Sequence, residues 1–322
     1  MNETAPVLSV VIPVYNEEAV LPQLFARLYP ALDALNRPYE VLFVNDGSRD
    51  GSVALLREQF ARRPAETRVI LLQVNFGQHA AILAGIARAR GRYVVTLDAD
   101  LQNPPEEIGK LLAKLEEGHD YVGTWRANRQ DLWWRRTASK FVNAIRERAT
   151  PIKMADHGCM LRGYGRSVVD TINATRENVT YIPALAAIYS SNPIEIEVKH
   201  DERIAGQSKY SLYRLIRLTF DLMTGFSTVP LQLFSLVGLG LSAISGALVL
   251  YLFARRIFLG PEAEGVFTLF AIVFFLLGIT LFGIGLLGEY IGRIYVQVRQ
   301  RPRYIIGAVL EQYPDPVPHD EA

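Results

Sequence analysis

Two carboxylates one residue apart, Asp98 and Asp100, close an apolar, β-branched run that begins at Tyr93. The run predicts a buried strand over Tyr93–Leu97. Pro104 and Pro105 then forbid strand continuation and open a helix. Carboxylates at i and i+2 on a strand end share one side of a sheet. Two hard oxygen donors there suit Mg²⁺ or Mn²⁺, which keep positions open for phosphate oxygens. On its own, an Asp-x-Asp is more often a polar loop after a core strand. Its chemical reading rests on what else converges on it.

The elements that must position this pair are legible upstream. Leu8–Val14 is an apolar strand running into Tyr15, Asn16 and Glu17, and a stripe of Val20, Leu21, Leu24, Phe25 and Leu28 predicts a helix behind it. Glu40–Asn45 predicts a second strand, followed by Asp46, Gly47 and Ser48. Gly47 allows a tight turn, and Ser48 or Asp50 is placed to cap the next helix. Val69–Val74 predicts a third strand, then Asn75 and Gly77, then a small-residue helix to Arg90. Asp120–Thr124 predicts a fifth. This alternation means an α/β fold with a mostly parallel sheet and flanking helices. In such sheets ligands sit at the strand carboxyl ends. Tyr15, Asn16, Asp46, Asn75, Gly77, Asp98 and Asp100 all fall there. No G-x-G-x-x-G follows the first strand and no G-x-x-x-x-G-K-[ST] occurs, so phosphate handling falls to a cation rather than to a glycine-rich cradle.

Composition sets the compartment. The 322 residues carry a formal net charge of +1, so no global field argues for a nucleic-acid partner. The single cysteine, Cys159, excludes an internal disulfide and fits a reducing compartment as a small buried hydrophobe. Met1–Pro6 lacks the basic-then-apolar pattern of a cleavable signal. Leu231–Ala254 and Val266–Gly288 hold no charged residue, and each is long enough to span the ~30 Å hydrocarbon core of a bilayer. Lys209, Arg214 and Arg217 precede the first run; Arg293, Arg299, Arg301 and Arg303 follow the second. Two spans with basic flanks place both ends on the cytoplasmic side of the membrane. The division expected is a cytoplasmic catalytic domain over 1–208, an interfacial helix over 209–230, a membrane hairpin over 231–288 and a cytoplasmic tail over 289–322, disordered near its proline-rich end. The spans carry no ionisable residue, which disfavours a transporter. The basic segment Arg126–Arg148, with Trp133 and Trp134, reads as a helix on anionic lipid. Arg203–Lys209 suits a phosphate-gripping loop, and Asp156–Arg162 is a compact polar stretch, either a loop into a core strand or a catalytic segment.

Val11-Ile-Pro-Val-Tyr-Asn-Glu17, Asn45-Asp-Gly-Ser48 and Leu97-Asp-Ala-Asp-Leu-Gln102 resemble the inverting, metal-dependent glycosyltransferases of the GT-A fold. Gly285–Tyr295 and Arg301-Pro-Arg-Tyr304 resemble their membrane-bound branch, which glycosylates polyisoprenyl phosphates. Within it, Asn75–His79, Asn128–Asp131, Thr137–Lys140, Gly158–Arg162 and Glu264–Phe267 are similar to the members that handle a formamido-arabinose in lipid A modification and cationic-peptide resistance; glucose and mannose stay open. The likeness covers roughly residues 7–306. It implies a UDP-sugar donor, undecaprenyl phosphate as acceptor, a divalent cation and a homo-tetramer. Pro13, Tyr15, Glu17 and Asp46 would line the nucleotide pocket, with Asn75, Gly77 and Asp98 beside them. Asp98, Asp100 and Gln102 would hold the metal. Arg126, Arg136, Ser139, Arg203, Ser208 and Lys209 would grip the acceptor phosphate, and Asp156 is the candidate base. Asn45 departs from the Asp of many relatives. A non-catalytic membrane-anchored binding protein is the reading from a different class, and the intact Asp98-x-Asp100 argues against it.

Overall fold

The computed structural model describes residues 6–126, 159–175, 181–199, 229–259, 266–299 and 301–312. The chain divides into two units. One comprises residues 1–135, 152–209 and 302–322; the other comprises 136–151 and 210–301.

The first unit is built on an eight-stranded sheet. Its strands are β1 (Leu8–Val14), β2 (Tyr39–Asn45), β3 (Thr67–Leu72), β4 (Tyr93–Thr96), β5 (Tyr121–Arg126), β6 (Arg162–Gly165), β7 (Pro193–Val198) and β8 (Ile306–Leu310). They lie in the order β7-β5-β6-β4-β1-β2-β3-β8. β1 pairs in parallel with both β2 and β4, and β2 with β3. β6 is antiparallel to both β4 and β5, which gives β4 and β5 a common direction. β7 runs parallel to β5. The carboxyl ends of β1 through β5 therefore share one edge, together with the entry into β6.

Helices follow from residue spacing. α1 (Leu21–Asp33) buries Leu21, Leu24, Leu28 and Leu32, a single 3.6-period stripe. α4 (Ile108–Glu116) buries Ile108, Leu111, Leu112 and Leu115, and opens behind a 3₁₀ turn at Pro105–Glu107. These stripes meet Leu8, Val10, Ile12, Val41, Phe43 and Val95 in one core. Each fully buried Leu or Ile contributes about 1.5–3 kcal/mol. α3 (Gln78–Arg88) takes Ala80, Ala81, Ala84 and Gly85 to the sheet. The small side chains are needed: a Cβ on Gly85 would lie 2.3 Å from Val11 Cγ1 and 3.0 Å from Val44 Cγ2. The tight approach sets the amino end of α3 over the carboxyl edge of the sheet. α2 (Ser52–Arg62) and α5 (Arg166–Ala174) complete the layers near the site. α6 (Ile182–Tyr189) leads into β7.

β6 is the core strand that a loop over Asp156–Arg162 would lead into, while β7 and β8 are not among the strands expected from the sequence. β8 lies antiparallel against β3 and pairs Val69 with Leu310. It is fastened by charge. Arg68, 3 % exposed, bridges Glu40 at 2.9 Å and Glu311 at 2.7 Å and donates to Arg88 O at 2.6 Å. Glu40 also accepts Ser9 Oγ at 2.6 Å and Arg90 N at 2.7 Å. This network lies at the amino ends of β1–β3, away from the candidate site.

In the second unit, α7 (Val229–Leu259) and α8 (Val266–Val298) are long helices. Among the described residues one stretch, Ile272–Val298, is long and apolar enough to cross a membrane. Large apolar side chains such as Leu281, Phe282 and Ile284 lie exposed along it. The two helices touch where Phe234 meets Phe282, ring centroids 5.7 Å apart, and where a Cβ on Gly283 would collide with the Phe234 ring.

Replacing Glu311 with Ala leaves Arg68 buried with one acceptor fewer, a loss of about 1–3 kcal/mol. Hydrogen exchange should rise selectively over residues 306–310 while β1 and β4 stay protected. Unchanged protection of β8 would contradict the fastening role.

Candidate active site at the carboxyl edge of the sheet

The edge is assembled from loops that satisfy one another. Asn16, at φ 57°, follows β1. Its backbone N–H donates to Ser48 Oγ at 3.0 Å, and its Oδ1 accepts Arg49 N at 2.8 Å. Glu17 N donates to Ser52 Oγ at 2.9 Å, and Glu18 N to Asp50 Oδ2 at 3.1 Å. Glu18 Oε2 returns the contact by accepting Gly51 N at 2.8 Å. The loops after β1 and β2 thus form one body. Ser48 is spent on this contact rather than on capping α2, while Asp50 Oδ1 does accept Ser52 N at 3.1 Å. Pro13 is half-buried at the end of β1, and Tyr15 is 46 % exposed beside it.

Asp46 joins the second loop to the third. Its Oδ1 accepts Phe76 N at 2.7 Å; its Oδ2 accepts Gly77 N and Asn75 Nδ2, each at 2.9 Å. Burial pushes the Asp46 carboxyl above its usual range, against the opposing pull of the Phe76 and Gly77 amides. Gly47 and Gly77 are both at positive φ, 68° and 94°, which favours glycine. A Cβ on Gly47 would stand 2.7 Å from the backbone of Val74 and Asn75, whereas one on Gly77 meets nothing within 4 Å. Asn45, nearly fully buried, has an Oδ1 without a hydrogen-bond partner among the described residues.

The aspartate pair differs from the sequence expectation in its local geometry. β4 ends at Thr96, not Leu97, so Asp98 and Asp100 stand in the turn beyond it and strand pleating does not set their side. The turn does. Leu101 takes φ 59°, and Gln102 N donates to Asp100 Oδ1 at 3.1 Å. Asp98 Oδ1 accepts Gln78 Nε2 at 2.6 Å from the first residue of α3. Asp98, Asp100 and Gln102 are all half-buried. Their donors are hard oxygens, which fits Mg²⁺ or Mn²⁺. Among the described residues no group of three His, Cys, Asp or Glu side chains gathers to hold a metal.

Behind the pair, Asn103 Oδ1 meets Cys159 Sγ at 3.4 Å, and that sulfur lies 2.9 Å from Thr124 Oγ1. Thr96 Oγ1 donates to Met160 O at 2.6 Å, and Thr124 Oγ1 to Leu161 O at 2.6 Å. These bonds fix the segment entering β6 against the ends of β4 and β5. Beside the edge, His79 packs edge-on against Tyr181, ring centroids 5.3 Å apart, and burial pushes its imidazole down to about 4.

The structure thus brings Pro13, Tyr15, Glu17, Asp46, Asn75, Gly77, Asp98, Asp100 and Gln102 to one edge. Arg126 is the last residue of β5, with its side chain outside the described set. Arg136, Ser139, Asp156, Arg203, Ser208 and Lys209 lie outside the described residues, as does the proline-rich end. Asn16 stands at the same edge, as its place after β1 implied, and Gln78 is the residue there that the sequence did not single out.

Residues 9–172 match the family model described as glycosyl transferase family 2. The chain belongs to this family. It is 49 % identical, over 319 residues and 98 % of both chains, to the undecaprenyl-phosphate 4-deoxy-4-formamido-L-arabinose transferase of Aeromonas hydrophila subsp. hydrophila. Among solved structures it is similar to the mannosyltransferase PcManGT of Pyrobaculum calidifontis in complex with GDP-Man and Mn²⁺. That likeness has a TM-score of 0.47 at 17 % identity and covers 69 % of this chain and 63 % of that one. The glucosyl-3-phosphoglycerate synthase of Mycobacterium tuberculosis, in complex with Mn²⁺, UDP and glucosyl-3-phosphoglycerate, gives 0.46 at 17 % identity, over 68 % of this chain and 78 % of that one. The glycosyltransferase assignment rests on the family match and the curated relative.

Gly47→Ala strains a left-handed turn and drives a Cβ into the Asn75 loop, at a cost of about 1–3 kcal/mol. The unfolding midpoint should drop accordingly, read by a thermal melt. A variant matching the parent would show that the loop after β3 gives way to the added Cβ and that the turn is not tightly held.

Proposed function

We propose that this glycosyltransferase moves 4-deoxy-4-formamido-L-arabinose from its UDP-activated form to undecaprenyl phosphate, with inversion and release of UDP, for lipid A modification and polymyxin resistance. The observation that carries the reading is the 49 % identity along 98 % of both chains to a relative bearing that name. The aspartate pair at the sheet edge and the apolar C-terminal helices suit it chemically.

Asp98, Asp100 and Gln102 are the residues that would hold Mg²⁺ or Mn²⁺. When bound, that ion supplies charge neutralisation to the departing diphosphate. The rest falls to the chain and its substrates. The Asp46-anchored loops would seat the uracil and ribose between Pro13, Tyr15 and Glu17. A phosphate oxygen of the lipid attacks the anomeric carbon as the bond from that carbon to the UDP oxygen breaks, and the electron pair leaves on UDP. A phosphate monoester has its second pKa at about 6, so the nucleophile arrives largely dianionic and needs little general-base help. Asp156 would then orient the acceptor rather than deprotonate it. Arg126, Arg136, Ser139, Arg203, Ser208 and Lys209 would hold the acceptor phosphate and offset repulsion between two anionic substrates.

The lipid acceptor asks for a membrane-bound site. Leu231–Ala254 and Val266–Gly288 are charge-free and would form a two-span hairpin in a bacterial inner membrane. Basic flanks would keep the catalytic domain, residues 1–208, and both termini cytoplasmic. Residues 209–230 would lie at the interface and 289–322 return to the cytoplasm.

Incubating the purified protein with undecaprenyl phosphate and a panel of UDP-sugars should yield one dominant lipid by mass spectrometry, carrying formamido-arabinose. A glucosyl or mannosyl lipid instead would correct the sugar and leave the chemistry standing. Asp100→Asn should lower turnover by about two orders of magnitude or more, the scale on which loss of one transition-state charge contact is felt. Asp156→Asn should cost less than that. Equal collapse in both, with folding intact, would argue for base catalysis.

A further inference from the structure

We infer that Gln78 is a positioning residue that orients Asp98 for the cation and ties metal loading to the nucleotide pocket. The inference rests on the metal-dependent reading above. It starts from one contact: Gln78 Nε2 donates to Asp98 Oδ1 at 2.6 Å. An ionised carboxylate only accepts, so the group meeting it is the amide NH₂. The bond fixes which carboxylate oxygen faces the helix and therefore how the carboxylate plane is presented to the edge.

An exposed glutamine on a helix is ordinarily a loose donor, worth little against its rotamer entropy. Gln78 is not ordinarily placed. It is the first residue of α3, and its backbone follows a loop gripped at three points by Asp46: Asn75 Nδ2, Phe76 N and Gly77 N. Behind it, Ala81, Ala84 and Gly85 seat α3 tightly on β1 and β2. The backbone that carries Gln78 is thus pinned on both sides, before it by the Asp46 carboxylate and after it by helix packing. Gly77 adds the conformational condition. At φ 94°, with no atom within 4 Å of a would-be Cβ, it turns the chain from the Asp46 cradle into α3 beside open space. A continuous chain of bonds runs Asp46, loop 75–77, Gln78, Asp98. Hydrogen bonds from outside a metal's own ligands orient those ligands, and losing one typically costs 10–100-fold in metal affinity.

The test is Mn²⁺ binding followed by loss of the free-ion electron paramagnetic resonance signal, in the presence of saturating UDP. The full-length protein in detergent would be used as wild type, Gln78→Leu and Gln78→Met. Both substitutions keep bulk and helix propensity and remove the donor, and unfolding midpoints control for folding. Mn²⁺ should bind 10–100-fold more weakly in both variants, while UDP affinity measured without metal stays at the wild-type value. Excess Mn²⁺ should restore turnover. Wild-type Mn²⁺ affinity in a folded variant overturns the inference alone. An equal loss of UDP affinity without metal makes Gln78 a nucleotide contact and overturns it too. Failure of the wild-type protein itself to bind Mn²⁺ with UDP removes the metal-dependent reading, and the inference with it.

Discussion

Parallel pairing of β1 with β2 on one side and β4 on the other is the constraint on which the site depends. It delivers the chain to the same edge three times, at Tyr15, Asp46 and Asp98, with β3 adding Asn75 one strand further out. Loops that crowd together there expose backbone N–H groups that must find acceptors. The molecule supplies them from side chains: Asn16, Ser48, Asp50 and Glu18 between the first two loops, Asp46 between the second and third. The polar residues of the edge are thus structural before they are chemical. Asp46 shows this most plainly, because its carboxylate clamps the neighbouring loop at three points.

Long uninterrupted β-branched runs made β1, β2 and β4 readable, since a parallel sheet covered on both faces leaves little alternation to confuse. The loops after them were readable because polar, glycine-bearing stretches cannot continue a buried strand. Other features gave weaker local signals. β6 reads Arg-Gly-Tyr-Gly, a loop-like composition that becomes a strand only because β4 and β5 pair with it from both sides. β7 alternates apolar with acidic residues, so its strand character is carried by the sequence itself. The side on which Asp98 and Asp100 point was assigned by strand pleating, but the strand stops at Thr96 and a left-handed Leu101 takes over. The Gln78–Asp98 bond had no sequence signature, because a glutamine at a helix start is ordinary and only topology brings it to the turn after β4.

The two edges of the sheet use different physics for different ends. At the carboxyl edge, short hydrogen bonds among half-exposed loops keep a polar site in register yet open to ligand. At the amino edge, Arg68 and its acidic partners are withdrawn from water. Such a network is costly if incomplete and rigid if satisfied. The division suits a catalyst that needs a firm foundation and an accessible rim.

The placement of β8 carries a consequence for how the molecule is made. A ribosome releases Ile306–Leu310 after both long helices have emerged, so β3 waits with its outer edge uncovered until then. An uncovered strand invites the wrong neighbour. Arg68, meanwhile, has only one of its two carboxylate partners in hand. The outer edge of β3 is therefore covered only by residues made after both long helices, and until then it is held back from its pairing by chain order alone.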